Sequence, residues 1–151
     1  MRASLTARTA AYTFRERWHL AATPEAVHAL LVDLELYPDW WPQVLAVAKL
    51  GDDDARVLCR SVLPYTLDLV LHAESRSADL LETSVSGDLE GVVRFQLAPE
   101  GAGTRVDFEQ DVVVRGWLAA ATRWVRPVLA WNHQRMMAGC REGLARRLRE
   151  A

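Results

Sequence analysis

The stretch that decides the fold is GVVRFQLAPEGAGTRVDFEQDV, residues 91–112. Val93, Phe95 and Leu97 alternate with polar or small neighbours, then PEGAG at 99–103 supplies the turn chemistry. Val106, Phe108, Gln110 and Val112 then alternate with Asp107, Glu109 and Asp111. Alternation with period two on both sides of a glycine-rich turn is the signature of two antiparallel strands with one buried and one wet face. Arg94, Arg105 and the three acids share the wet side, so the acids read as a solvated, arginine-screened face, neither a cation site nor an acid/base site.

Working outward, the same grammar extends from Val44 to Arg115. Turn signals recur at GDDD (51–54), near Pro64, at 77–79 and at 87–91, leaving room for five or six antiparallel strands. The apolar face runs through Val57 and Cys59, then Leu67, Leu69, Leu71 and Ala73, then Leu81, Thr83 and Val85. Upstream, YTFRERWHL (12–20) places Tyr12, Phe14, Trp18 and Leu20 on one side of a further strand. Thr23-Pro24-Glu25 is a helix start, with a hydroxyl at the N-cap, proline in the first turn and a carboxylate at the positive dipole end. The helix runs to about Val32, and DLELYPDWWPQV (33–44) reads as a short second helix with an aromatic corner.

A one-sided sheet needs a cover, and the only segment long enough lies beyond Trp117. Pro127 is expected to break or kink it, leaving a helix from Pro127 to Glu150 of roughly 35 Å. On a helical wheel Leu129, Asn132, Met136, Cys140, Gly143 and Leu144 share the side that should meet the sheet. Gly139 and Gly143 cost about 1 kcal/mol each against alanine inside a helix. Either the backbone approaches a neighbour closely there, or the missing side chains leave room for a ligand. Trp117, Trp124 and Trp131 recur every seven residues off that side and need another partner: the first strand, a loop, or a second subunit of a homodimer.

Composition narrows the function classes. A chain of 151 residues, half apolar and a quarter charged with formal net charge -2, fits a single domain over 1–151 with a flexible start at 1–11. The near-neutral balance argues against nucleic acid, and the arginines at 141–149 are broken by Glu142, a solvated helix face. No apolar run reaches the ~20 residues of a membrane span, so no stable membrane insertion is expected. Two cysteines without CxxC spacing and no visible secretory leader place the chain in a reducing cytoplasm. A single lysine, Lys49, among many arginines suggests a GC-rich bacterial genome.

With the segments ATPEAVHALLVDLELYPDWWP, SGDLEGVVRFQLAPEGAGTRVDFEQDV and WNHQRMMAGCREGLARRL, the chain resembles the bacterial polyketide cyclase/dehydrase-type members of the START-like (SRPBCC) superfamily over about residues 12–148. The resemblance implies an α+β helix-grip fold: a curved antiparallel β-sheet wrapped around a long C-terminal α-helix, with two short helices after the first strand. It further implies a cavity between sheet and helix for a hydrophobic small molecule, a lipid or a polyketide-like aromatic. The expected apolar lining is Trp40, Cys59, Leu69, Phe95, Phe108 and Met136. Among inward polar groups, Ser61, Thr83, Gln110 and Asn132 could orient a ligand.

No catalytic residue is assigned. His19, His28, His72 and His133 lack metal-ligand spacing, so neither a metal nor another cofactor is expected. His133 would shuttle protons only if it reached the cavity, and the wheel places it at the helix flank, tied to backbone or solvent. Binding or transport is therefore the first function. An aromatase/cyclase is the alternative, and a quinone-binding chaperone, suggested by LELYPDWWP, a third. A titratable side chain inside the cavity would speak for the enzyme. Trp40, Trp41 and Tyr37 would form either a gate at the mouth or a plug.

Overall fold

The computed structural model describes residues 10–60, 66–114 and 117–150, with residue 10 and residues 117–129 described by backbone alone. Ser61 and Pro64 therefore lie outside the described residues, as do the side chains of Trp117, Trp124 and Leu129. The chain opens on strand β1 (Ala10–Leu20), followed by helix α1 (Pro24–Val32), a 3-10 turn (Leu34–Leu36) and the one-turn helix α2 (Tyr37–Trp40). Six strands come next: β2 (Val44–Lys49), β3 (Asp54–Arg60), β4 (Thr66–Arg76), β5 (Leu80–Gly87), β6 (Leu89–Glu100) and β7 (Gly103–Val114). Helix α3 (Trp117–Glu150) closes the fold.

Thr23 caps α1 as its sequence requires, its Oγ1 accepting from the Ala26 N–H at 3.3 Å, with Pro24 in the first turn. All seven strands form one antiparallel sheet in the order β1-β7-β6-β5-β4-β3-β2. Hairpins thus connect β2 through β7, while β1 returns to pair with the last strand, Leu20 opposite Thr104 and Ala10 opposite Val114. Phe95 faces Phe108 across β6 and β7, the pairing that residues 91–112 imply.

The outer face is a charge ladder. Arg17 binds Asp107 at 2.7 Å, Arg15 binds Glu109 at 3.2 Å, and Arg94 links Glu82 (2.6 Å) to Glu109 (3.3 Å). The hydrogen bond from the Arg17 guanidinium, with its charge, lowers the Asp107 pKa below its ordinary value. These exposed pairs settle which side faces water rather than adding much stability.

Helix α3 runs as 34 residues, about 50 Å at 1.5 Å per residue, and is continuous through Pro127. The expected break is absent, although an interior proline forfeits one backbone hydrogen bond and costs about 3 kcal/mol. No helix among the described residues is long and apolar enough to cross a membrane.

The core fills one end of the space between sheet and helix. Trp18 stacks on Phe108, with centroids 6.2 Å apart and planes within 4°, and Val27, Leu31, Leu97, Val106, Cys140 and Leu144 close around them. Thr104, fully buried, donates its hydroxyl to the Ala22 carbonyl at 2.7 Å. Glu16 falls on the inner side of β1 and accepts from the Trp18 indole at 3.2 Å, a polar residue within an otherwise apolar stripe.

Gly143 resolves the question its position raised. A Cβ there would overlap the backbone carbonyl oxygen of Trp40, and one at Gly139 would overlap the Gln43 side chain. The glycines serve close packing of α3 against α2 and the residues after it, and leave no space for a ligand at that level.

Candidate functional site

At the other end of the same concavity the side chains stop short of one another and leave a cavity of about 150 Å³. Leu67, Leu69 and Leu71 come from the first half of β4, Val85 from the end of β5, and Val93 and Phe95 from the first half of β6. Strand β7 contributes Phe108, Gln110, Val112 and Val114, from its middle to its end, and the start of β1 contributes Tyr12 and Phe14. Helix α3 roofs it with Asn132, His133, Met136 and Met137, and Tyr37 and Trp41 close one side.

Alternation explains the lining: every strand residue named sits on the face that elsewhere builds the core. The cavity exists because the helix side chains above this end are polar or flexible, whereas Cys140 and Leu144 fill the other end.

Six of the residues expected from sequence, Leu69, Phe95, Phe108, Gln110, Asn132 and Met136, are brought together here. Trp40, Cys59 and Thr83 are placed elsewhere. Trp40 is 1% exposed and packs on Gly143, with its neighbour Trp41 taking the place on the cavity wall. Cys59 is buried in the core, where desolvation pushes its thiol up to about 12. Thr83 is half-buried between Ala73 and Val93, on the inner face but outside the lining.

The aromatic corner is a plug. The Tyr37 hydroxyl donates to the Leu31 carbonyl, and the Trp41 indole N–H donates to the Met136 carbonyl at 2.9 Å. Tyr37 and Trp40 meet edge to face at 4.9 Å, and Trp40 stacks on Trp41 at 5.9 Å. Turning Trp41 outward would break that hydrogen bond, worth about 1 kcal/mol, and expose a buried indole to water.

His133 departs from its expected place. Instead of sitting at the flank, it lines the cavity, its Nε2 3.2 Å from Gln110 Oε1 and its ring stacked on Phe14 at 3.7 Å and 13°. Phe108 lies on it at 5.9 Å. Burial lowers its pKa to about 4, so the imidazole is neutral at pH 7. With Gln110 as acceptor, Nε2 carries the proton and Nδ1 keeps a lone pair. The missed signal was the stripe His133, Met137, Cys140, Leu144, spaced four, three and four, which shares its face with the buried residues. Among the described residues, no three histidine, cysteine or acidic side chains converge in a way that could hold a metal ion.

A seven-stranded antiparallel sheet gripping a long terminal helix, with a cavity between them, defines a helix-grip protein of the START-like superfamily. Within it, the chain belongs to the family described as polyketide cyclase/dehydrase and lipid transport, whose model matches residues 11–149. Solved structures agree on the fold. A START superfamily protein from Mycobacterium smegmatis is 16% identical with a TM-score of 0.75, over 91% of this chain and 97% of that one. The Zhui aromatase/cyclase from Streptomyces sp. R1128 is 13% identical with a TM-score of 0.76, over 93% and 94%. A protein from Thermus thermophilus is 19% identical with a TM-score of 0.75, over 91% and 97%. No curated protein sequence matches the chain.

Proposed function

We propose that this chain binds an apolar small molecule in the cavity between its sheet and α3. The observation that carries the reading is the cavity itself, about 150 Å³ of space walled by leucine, valine, phenylalanine and methionine. A dry apolar cavity of about this volume accommodates a benzene-sized guest. A ligand burying ~200 Å² of apolar surface there would gain roughly 5 kcal/mol from desolvation, before the cost of association. Family membership supports the same reading, since the family's description joins polyketide cyclisation with lipid transport.

Native mass spectrometry of freshly purified protein tests it. A retained apolar mass, lost on unfolding, is expected. Absence of any adduct, together with no binding across a series of aromatic and fatty-acid probes, would overturn the proposal.

His133 gives the aromatase/cyclase alternative one specific support, for a neutral imidazole on the cavity wall can accept and return a proton. No inward carboxylate pairs with it among the described lining residues, so binding ranks first and cyclisation second. Incubation with a poly-β-ketone mimic separates the two: turnover lost in His133→Phe supports the enzyme, and binding without turnover supports the carrier.

A further inference from the structure

We propose that Gln110 and His133 form a polar subsite on the cavity wall that selects a ring-sized aromatic ligand carrying a hydroxyl group. The inference rests on the binding function proposed above and concerns which ligand the cavity prefers.

The argument is an accounting of hydrogen-bonding groups. Most polar atoms around the cavity already have partners within the protein. Tyr37 and Trp41 donate to the Leu31 and Met136 carbonyls, and Asn132 makes an interaction of its own. Gln110 and His133 spend one group each on their mutual hydrogen bond. The Gln110 amide nitrogen and His133 Nδ1 have no further partner among the described residues. One is a donor and the other, in the neutral ring, an acceptor.

Exchanging the roles does not change this complementarity. With the amide turned over, Gln110 donates to Nε2, its oxygen becomes the spare acceptor, and Nδ1–H becomes the spare donor. Either way the subsite offers one donor and one acceptor, and a hydroxyl is the simplest group that satisfies both.

Ring stacking fixes how that group must approach. Phe14 lies against one face of the imidazole at 3.7 Å and is nearly parallel to it. A ligand therefore meets the ring at its nitrogen-bearing edge, with its own apolar body toward Leu69, Val93 and Met136. Burial keeps the imidazole uncharged, so the subsite suits a neutral ligand and disfavours a cation. The cavity's volume favours one or two fused rings over a long acyl chain.

Calorimetric or fluorescence titration of the full chain with naphthalene, 2-naphthol and 2-methoxynaphthalene tests the proposal. The sign of the preference is diagnostic, because the hydroxyl of 2-naphthol must leave water and an unassisted apolar cavity would favour naphthalene. The expected result is 2-naphthol bound at least about tenfold more tightly than naphthalene, with the methoxy compound, which cannot donate, near naphthalene. In Gln110→Leu and His133→Phe the preference for 2-naphthol over naphthalene should be lost or reversed. Naphthalene binding equal to or tighter than 2-naphthol in the wild-type protein overturns the subsite and leaves the cavity reading intact. Binding of fatty acids alone also overturns it, and binding of no probe overturns both readings. Should either variant fail to fold, the wild-type order alone decides.

Discussion

The two ends of the space between sheet and helix are built from the same strands and differ in what the helix brings to them. At the packed end Cys140 and Leu144 are wholly buried, Gly143 lets α3 touch the Trp40 carbonyl, and the Trp18 and Phe108 rings lie flat together. At the hollow end, two turns earlier on the same helix, Asn132, His133 and Met136 are only partly buried over a cavity. The lesson is that a sheet with uniform apolar alternation does not by itself decide between core and pocket; the covering helix does, residue by residue.

The sharpest way to break that comparison is Gly143→Leu. A side chain forced against backbone at the packed end should cost about 3 kcal/mol or more, lowering Tm by roughly 10 °C for a chain of this size. An unchanged thermal melt would mean that the helix is not held as described. Next comes a matched pair of truncations followed by chemical denaturation. Leu144→Ala should cost about 3 kcal/mol, and Leu71→Ala, facing space already empty, nearer 1 kcal/mol. Equal losses would erase the distinction between the ends.

Acid titration sharpens the comparison further. The unfolded chain takes up a proton at His133 near pH 6.5, but the folded protein does so only near pH 4. Stability should therefore decline by about 3 kcal/mol as pH falls through that window and be unaffected by this group below it. His133→Phe should flatten the slope in urea melts taken from pH 7 to 4. The salt-bridged carboxylates Asp68, Asp107 and Asp111 are held below their ordinary value of 3.8 and act at lower pH. His72, raised first by its hydrogen bond to Asp54, loses its contribution as pH rises above 6.5. The smallest stability effect belongs to Val93→Phe, which should shift stability by less than about 1 kcal/mol because the hollow end has room. It should nevertheless abolish ligand binding by titration.

Much of this was legible in the amino-acid sequence. Period-two alternation, interrupted by GDDD and PEGAG, marks strands whose order follows from short hairpins, and Thr23-Pro24 marks a helix start. Leu69, Phe95, Phe108 and Gln110 could be placed on the inner face because alternation assigns faces without ambiguity. The helix was harder, since each residue advances 100° and a small phase error moves a flank residue onto the wall. That is how Met137 escaped notice and His133 was left at the flank, while Asn132 and Met136 were caught. Trp40 and Trp41 defeat a reading by composition, because only geometry shows which indole meets the cavity and which meets Gly143. Pro127 shows the limit of local propensity, as the helix runs through it.

The return of β1 to β7 bears on how the molecule is made. Leu20 finds its partner Thr104 only after the intervening strands have emerged from the ribosome, on the order of 90 residues and 5 to 20 s of translation later. Through that interval Tyr12, Phe14 and Trp18 have no sheet to lie on. The nascent chain is thus most exposed to aggregation just before its last strand appears, and its folding should be slow for its length.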